Sequence, residues 1–295
     1  MKVLFTGASG LLGTSCRTVF EQAGIEFSGL RRDVAWHMVR AHDGSELANV
    51  DILVHAAANT NVEQCELEPD ACYRDNLLLT EGLATICANV GTPLVFISST
   101  GVYGEGEETP YREYSEVRPT THHHRAKWLG EQAVLAAARS NMVIRTGWLF
   151  GGAFENPKNF VARRLDEAAK ASAERVTLFS NSDQRGCPTY SGDVAHRLIV
   201  LIRGGYKGVF NVVNEGNASR MEYVRAILES VGSDVSVEPT SAAAFNRRAK
   251  VSTNEMALNW RAGELGLPVM PHWRASLNRY LRRHYNGTET PNNDQ

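Results

Sequence analysis

The sequence predicts an α/β protein built on a parallel sheet that is covered by helices on both faces. Three observations predict it. Over residues 1–150, short apolar runs alternate with longer helical patterns. Two of those runs, LVFIS and DILVH, are apolar almost throughout, as strands buried on both sides are. The first strand, KVLFT, passes at once into a glycine-rich turn and an amphipathic helix. A chain of 295 residues is long enough to bury a substantial core.

Taken in order, strands are predicted at 2–6, 25–30, 51–55, 93–98 and 142–146, with helices at 11–23, 71–90 and 120–139. A further strand is expected before Asp43, with a helix starting at Gly44. After residue 150 the alternation loosens. A helix at 158–172 precedes a Gly/Pro/Asn/Asp-rich stretch at 180–193. Then come a helix at 192–204, the strand GVFNVV, and helices at 220–231 and 271–283. The expected organisation is a nucleotide-binding domain over 1–150 and a smaller α/β substrate lobe over 151–285. Some segments of that lobe are expected to return to the first domain, and the polar tail 286–295 is expected to be flexible.

Composition narrows the function. Apolar residues make up 43% and charged residues 22%, with a net charge of −2, the profile of an ordinary globular protein. There is no basic footprint for nucleic acid, and no apolar run approaches a membrane span. The N-terminus lacks the long apolar stretch and small-residue cleavage site of a signal peptide, so a cytoplasmic protein is expected. The five cysteines (Cys16, Cys65, Cys72, Cys87 and Cys187) are odd in number and follow no metal spacing. Reduced thiols and no metal are expected.

The turn after the first strand reads Gly7-Ala8-Ser9-Gly10-Leu11-Leu12-Gly13. Between a strand and a helix, the first glycine permits the tight turn, the second lets backbone approach a pyrophosphate, and the third lets helix and strand pack closely. The helix N-terminus then offers free N–H groups to the phosphates. This predicts a Rossmann-type, doubly wound dinucleotide-binding sheet. Arg31 and Arg32 follow the second strand and favour NADP(H), since arginine suits a ribose 2′-phosphate. Asp33 beyond them keeps NAD(H) open. Asp43 either bonds the adenine edge or caps the next helix.

Further landmarks follow in order: HAAANTNVEQCELEP (55–69), FISSTGVYGEG (96–106), PTTHHHRAKWLGE (119–131), VIRTGWLFG (143–151) and DQRGCPTYSGDVA (183–195). Together with the glycine loop they resemble the extended short-chain dehydrogenases/reductases, in detail the dTDP-4-dehydrorhamnose reductase branch that acts on sugar nucleotides. The resemblance spans about residues 1–283. It implies NADPH-dependent reduction of a nucleotide-linked 4-keto-6-deoxy sugar in deoxysugar and polysaccharide biosynthesis. A homodimer is a family expectation only. In cofactor binding it implicates Gly7, Gly10 and Gly13, then Ala56, Ala57 and Ala58 and the catalytic lysine. Ser9, Leu11 and Leu12 of the same loop are expected to share that role. The resemblance puts the catalytic hydroxyl on Ser99 and the catalytic lysine on Lys127. It places Thr60, Val62, Trp148 and Arg185 toward the substrate, Trp148 packing on the sugar ring. Arg247, Arg248 and Lys250 resemble a segment near the nucleotide end.

Read from the residues alone, Ser99 at a strand end could bond a carbonyl or cap a turn, with Ser98 and Thr100 as rivals. Trp148 could equally be core.

The sequence departs from the family pattern at one position. The family pair is Tyr-x-x-x-Lys, and the tyrosine position falls on His123, four residues before Lys127. The spacing i, i+4 keeps both on one helix face. Consecutive helical residues are turned by ~100°, so His122, His123 and His124 point apart and do not form a metal site among themselves. An imidazolium at His123 could supply the proton of ketone reduction, with activity falling as pH rises. Lys127 would push the ring toward neutrality, leaving an N–H that bonds an oxyanion but gives its proton poorly. Tyr103, Tyr111 and Tyr114 are alternative phenols, and His124 is a fallback for the lysine's partner. The alternatives are a catalytically silent NADP(H)-binding regulatory or partner protein of the same fold, and a sugar-nucleotide epimerase or dehydratase.

Overall fold

The computed structural model describes residues 1–245 and 247–285. The tail 286–295 lies outside the described residues. In the first part of the chain the strands are β1 (Lys2–Thr6), β2 (Glu26–Leu30), β3 (Ile52–His55), β4 (Leu94–Ser99) and β5 (Met142–Thr146). The helices between them are α1 (Leu11–Gln22), α2 (Arg32–Ala41), α3 (Val62–Leu67), α4 (Pro69–Tyr73), α5 (Leu79–Val90) and α6 (His122–Ala137). In the second part the strands are β6 (Trp148–Phe150), β7 (Leu178–Asn181), β8 (Arg185–Gly186), β9 (Pro188–Tyr190), β10 (Gly208–Val212), β11 (Ala218–Ser219), β12 (Val237–Thr240) and β13 (Asn254–Glu255). Its helices are α7 (Phe160–Glu174), α8 (Ser191–Arg203), α9 (Arg220–Glu229), α10 (Trp260–Glu264) and α11 (Trp273–His284).

The central sheet has six strands in the order β2-β1-β3-β4-β5-β10, and every pairing is parallel. Successive strands run outward from β1 in opposite directions, β2 to one side and β3 to the other. The switch point therefore lies between β1 and β3, where open α/β sheets bind ligands beyond the carboxyl ends of the strands. One face of the sheet is filled by Cys16, Val19 and Phe20 of α1 with Val194, Leu198 and Leu201 of α8. The other is filled by Ala35 and Met38 of α2, Leu83 and Ile86 of α5, and Val134 of α6. Burial on both faces explains the unbroken apolar strands.

Two expectations are corrected here. No strand lies between β2 and Asp43. The segment after β2 is helix α2, whose buried Ala35 and Met38 are three residues apart on one face, with Asp33 in the first turn. It ends at His42 in the left-handed region, φ 52°, and a single 3₁₀ turn at Ser45–Leu47 leads to β3. The helix expected over 71–90 is interrupted as well. A π-helical turn at Arg74–Leu78 separates α4 from α5 and turns Asp75 and Asn76 inward.

Beyond β5 the chain divides its elements. Helix α8 and strand β10 join the central sheet. The remaining elements form a smaller layer of short pairings: β6 with β9, β7 with β12, and β8 between β11 and β13. A second core of Phe150, Val161, Leu165, Tyr223, Ile227, Trp273 and Tyr280 holds that layer together. Helix α9 starts at a reciprocal capping box between Ser219 and Glu222. Among the described residues no helix is long and apolar enough to cross a membrane.

Candidate active site

The loop from β1 to α1 shows why its glycines are required. Gly7 has φ +74°, and a Cβ there would stand 2.9 Å from the Ala57 nitrogen. A Cβ on Gly13 would stand 2.4 Å from the Gly7 carbonyl oxygen, so helix and loop pack too closely for any side chain. At Gly10 only that same carbonyl oxygen, 3.2 Å away, would be met. The first turn of α1 has no side-chain cap and no acidic residue. Its free N–H groups and positive dipole end suit a phosphate. Thr6 Oγ1 accepts from the Ala56 and Ala57 nitrogens at 3.1 Å each, tying the end of β1 to the chain leaving β3.

A cleft of about 1090 Å³ opens at this switch point. Gly7, Ser9, Gly10, Leu11, Leu12 and Gly13 line one wall, with Arg31, Arg32 and Asp33 at one end. Ala56, Ala57, Ala58 and Thr60 line the opposite side, and Ser99, His123 and Lys127 lie in the same cavity. A cradle that a Cβ would fill, an uncapped helix N-terminus and a long cleft fit a dinucleotide. Arg31 is held bidentately by Asp33, at 3.0 and 2.6 Å. Arg32 pairs with the inward Asp75 at 2.6 Å.

Four sequence-predicted residues are not brought to the cleft. Asp43 accepts from the nitrogen and hydroxyl of Ser45, at 2.8 and 2.9 Å, just before the 3₁₀ turn. Val62 opens α3 behind the Asn61 cap. Trp148 is 8% exposed. Arg220 lies 3.4 Å over its ring centroid, and its Nε1 donates to Glu255 at 2.7 Å. Its indole packs within the second core instead of bordering the cavity. Arg185 donates to Asn217 at 2.9 Å and pairs with Glu222 at 3.3 Å, away from the cavity.

Of the three hydroxyls closing β4, Ser98 donates to Glu131 at 2.5 Å, and Thr100 is fully buried. Ser99 Oγ accepts from the Gly101 nitrogen at 3.1 Å, which leaves its proton free to donate into the cleft. The three histidines at the start of α6 diverge as helical geometry requires. His122 meets the Tyr73 hydroxyl at 3.2 Å. His124 bonds Thr121 at 3.1 Å and fills the space beside Gly101. His123 borders the cleft and has its Nδ1 3.4 Å from Asn76 Nδ2. Burial first, then the charges of His124 and Lys127, hold the His123 ring well below its ordinary pKa. It is therefore neutral near pH 7. Of the two roles open to His123, this direction favours the neutral N–H donor over the imidazolium acid.

Lys127 is 4% exposed, with Nζ 4.1 Å from the Phe96 ring centroid. Burial lowers its pKa to about 7, against the opposing pull of Glu131. Among the described residues no tyrosine borders the cleft. Tyr103 is fully buried, bonded to Asn211 and stacked on Tyr111 at 4.7 Å. Tyr111 donates to the Gly104 carbonyl at 3.2 Å, and Tyr114 is exposed.

Sequence reasoning missed two features of the site. Lys158, just before α7, reaches across to Thr60 at 3.1 Å and lines the cavity. Cys65, Cys72 and His123 place ligand-type atoms within 4.8 Å of one another. The sequence signal for that cluster is absent, because its members lie on three different helices.

The family profile described as RmlD substrate binding domain matches residues 1–286. The dTDP-4-dehydrorhamnose reductase of Mycobacterium tuberculosis is 33% identical over 296 residues, covering 97% of this chain and 94% of that protein. Among solved structures, a dTDP-4-dehydrorhamnose reductase from Clostridium acetobutylicum superposes with a TM-score of 0.88 at 26% identity, covering 96% of this chain and 99% of that one. The dTDP-4-dehydrorhamnose reductase of Bacillus anthracis, in complex with NADP, gives 0.86 at 25% identity, with the same coverage.

Proposed function

The chain belongs to the RmlD substrate-binding-domain family, and from that premise we propose that it is an oxidoreductase that reduces a dTDP-linked 4-keto-6-deoxy sugar with NADPH in deoxysugar biosynthesis. The observation that carries this reading is the convergence of the glycine cradle, Ser99, His123 and Lys127 on one cleft. Sugar-nucleotide reductases among its relatives and the NADP complex of the Bacillus anthracis structure support it. The preference for NADPH over NADH rests on Arg31 and Arg32 at the end of the cleft.

The reduced nicotinamide, when bound, supplies a hydride to the ketone carbon. The chain's own groups then manage the charge that develops on the oxygen. Ser99 has a hydroxyl proton to donate to it. His123 stands in the position of the family tyrosine and offers a neutral N–H bond. Lys127, with a pKa of about 7, is matched to proton delivery near neutrality and supplies a positive field as well. In this reading the lysine takes over the acid role that the missing phenol leaves.

The test is NADPH oxidation with a dTDP-4-keto-6-deoxyhexose. Turnover by the native chain, with loss in Lys127→Ala, is expected. A second reading, a silent NADP(H)-binding partner protein, is favoured by the neutral His123 and by the lack of any tyrosine along the cleft. It predicts tight cofactor binding with no turnover on a panel of keto-sugar nucleotides.

A further inference from the structure

We propose that Cys65, Cys72 and His123 form a zinc(II) site beside the cofactor cleft. The three residues come from α3, α4 and the first turn of α6, and each is buried. Their ligand atoms already lie within 4.8 Å of one another. In a tetrahedral zinc site with Zn–S of ~2.3 Å and Zn–N of ~2.0 Å, such atoms stand roughly 3.5–3.8 Å apart. Side-chain rotations of ~1 Å close that difference.

Neighbouring groups orient the set. Asn76 is fixed by a two-point bond to the backbone of Asn59, accepting at 2.8 Å and donating at 3.0 Å. Its Nδ2 is 3.3 Å from Cys72 Sγ and 3.4 Å from His123 Nδ1. The one amide nitrogen is thus within reach of both the Cys72 sulfur and the His123 ring. An amide N–H directed at a cysteine sulfur is an outer-shell contact that stabilises a thiolate ligand. Ala126 packs against both cysteines and closes the cluster.

The donor set selects the ion. Two sulfurs and an imidazole suit zinc(II) and exclude magnesium and calcium, which take oxygen ligands. Binding converts two thiols to thiolates and releases two protons, while the imidazole binds neutral. One Zn²⁺ and two thiolates leave the buried site without net charge, which a low-dielectric environment tolerates. Three protein ligands leave a fourth position for water. An ion there would lock the ring that occupies the family tyrosine's position. The proposal does not rest on the reductase reading, since a silent cofactor-binding protein would hold the same ion.

The experiment uses the full chain and two probes, Zn²⁺ and Co²⁺. After incubation and desalting, elemental analysis is expected to find one metal per chain. The cobalt form is expected to show thiolate-to-cobalt charge transfer in the near ultraviolet. Zinc should raise the melting temperature of the native chain. Cys65→Ser and Cys72→Ser should each lose the charge-transfer band and the zinc-dependent shift. Cys87→Ser, in a separate core cluster, should keep both. Failure of the native chain to retain either metal overturns the proposal, whatever the variants do. So does a charge-transfer band that survives both Cys65→Ser and Cys72→Ser.

Discussion

Lys127 Nζ sits 4.1 Å from the centroid of the Phe96 ring, and no carboxylate lies within ion-pair distance of it among the described residues. A buried ammonium held by an aromatic face and a distant Glu131 is easily deprotonated, and its pKa falls to about 7. The charged form is thus lost as pH rises through 7. If Lys127 carries the proton, kcat/KM is expected to decline above about pH 7, measured as initial rates between pH 5.5 and 9. Lys127→Ala should lower kcat/KM by about 10²- to 10⁴-fold. A rate that is flat to pH 9 would remove Lys127 from the acid role.

His55 gives a stability prediction of the other kind. It is fully buried between Thr6 Oγ1 at 2.7 Å and Thr80 Oγ1 at 3.0 Å. Thr80 donates its own proton to the Asn76 carbonyl, so it accepts from His55 Nε2. Thr6 already accepts from two backbone nitrogens, so its proton goes to His55 Nδ1. The network fixes a neutral ring. Burial first, then Lys127, pushes its pKa down to about 3. Because the folded pKa is depressed, the unfolded chain binds more protons below pH 6.5, and stability is lost as pH falls through that window. Urea unfolding at pH 7 and pH 5 should show a contribution of about 2 kcal/mol from this group. That increment should be missing from the pH dependence of His55→Gln.

The fold was largely legible because the strands of a sheet covered on both faces are apolar throughout and the glycine loop has one physical use. The extra strand expected before Asp43 is helix α2, whose apolar Val34, Trp36, Met38 and Val39 are dense enough in sequence to suit either element. Their helical spacing decides the matter only when packed against α5. In the site, Gly7, Ser99, His123 and Lys127 could be placed by motif and spacing. Trp148 could not, since its burial depends on Arg220 and Glu255, which follow it by more than seventy residues. The pull of Lys127 on His123 was legible from their spacing, but the burial of that ring and the cysteines beside it were hidden, being properties of three helices packed together.

The ion pair of Glu131 and Arg145, at 2.6 Å, is almost wholly removed from water. Ser98 donates to the same carboxylate, and Arg145 lies 4.7 Å from the Tyr103 ring centroid. These bonds join α6 to β4 and β5 directly behind the site. Glu131→Gln leaves a buried guanidinium without its counter-charge and should cost about 3–5 kcal/mol in urea unfolding. A loss below ~1 kcal/mol would show that the pair is dispensable.

Cofactor choice is predicted from Arg31, which is exposed at the end of the cleft and paired to Asp33. Arg31→Ala should weaken NADPH binding by roughly tenfold or more while leaving NADH nearly unchanged, read by fluorescence titration. Equal losses for both cofactors would contradict a 2′-phosphate role.

The central claim is that this cleft reduces a sugar-nucleotide ketone with Lys127 as its proton donor. The direct measurement follows NADPH absorbance with a dTDP-4-keto-6-deoxyhexose at pH 6 and pH 8, for the native chain and for Lys127→Ala. The account predicts turnover by the native chain, faster at pH 6 than at pH 8, and loss of it in the variant. NADPH that binds tightly but is not oxidised by any keto-sugar nucleotide would contradict it.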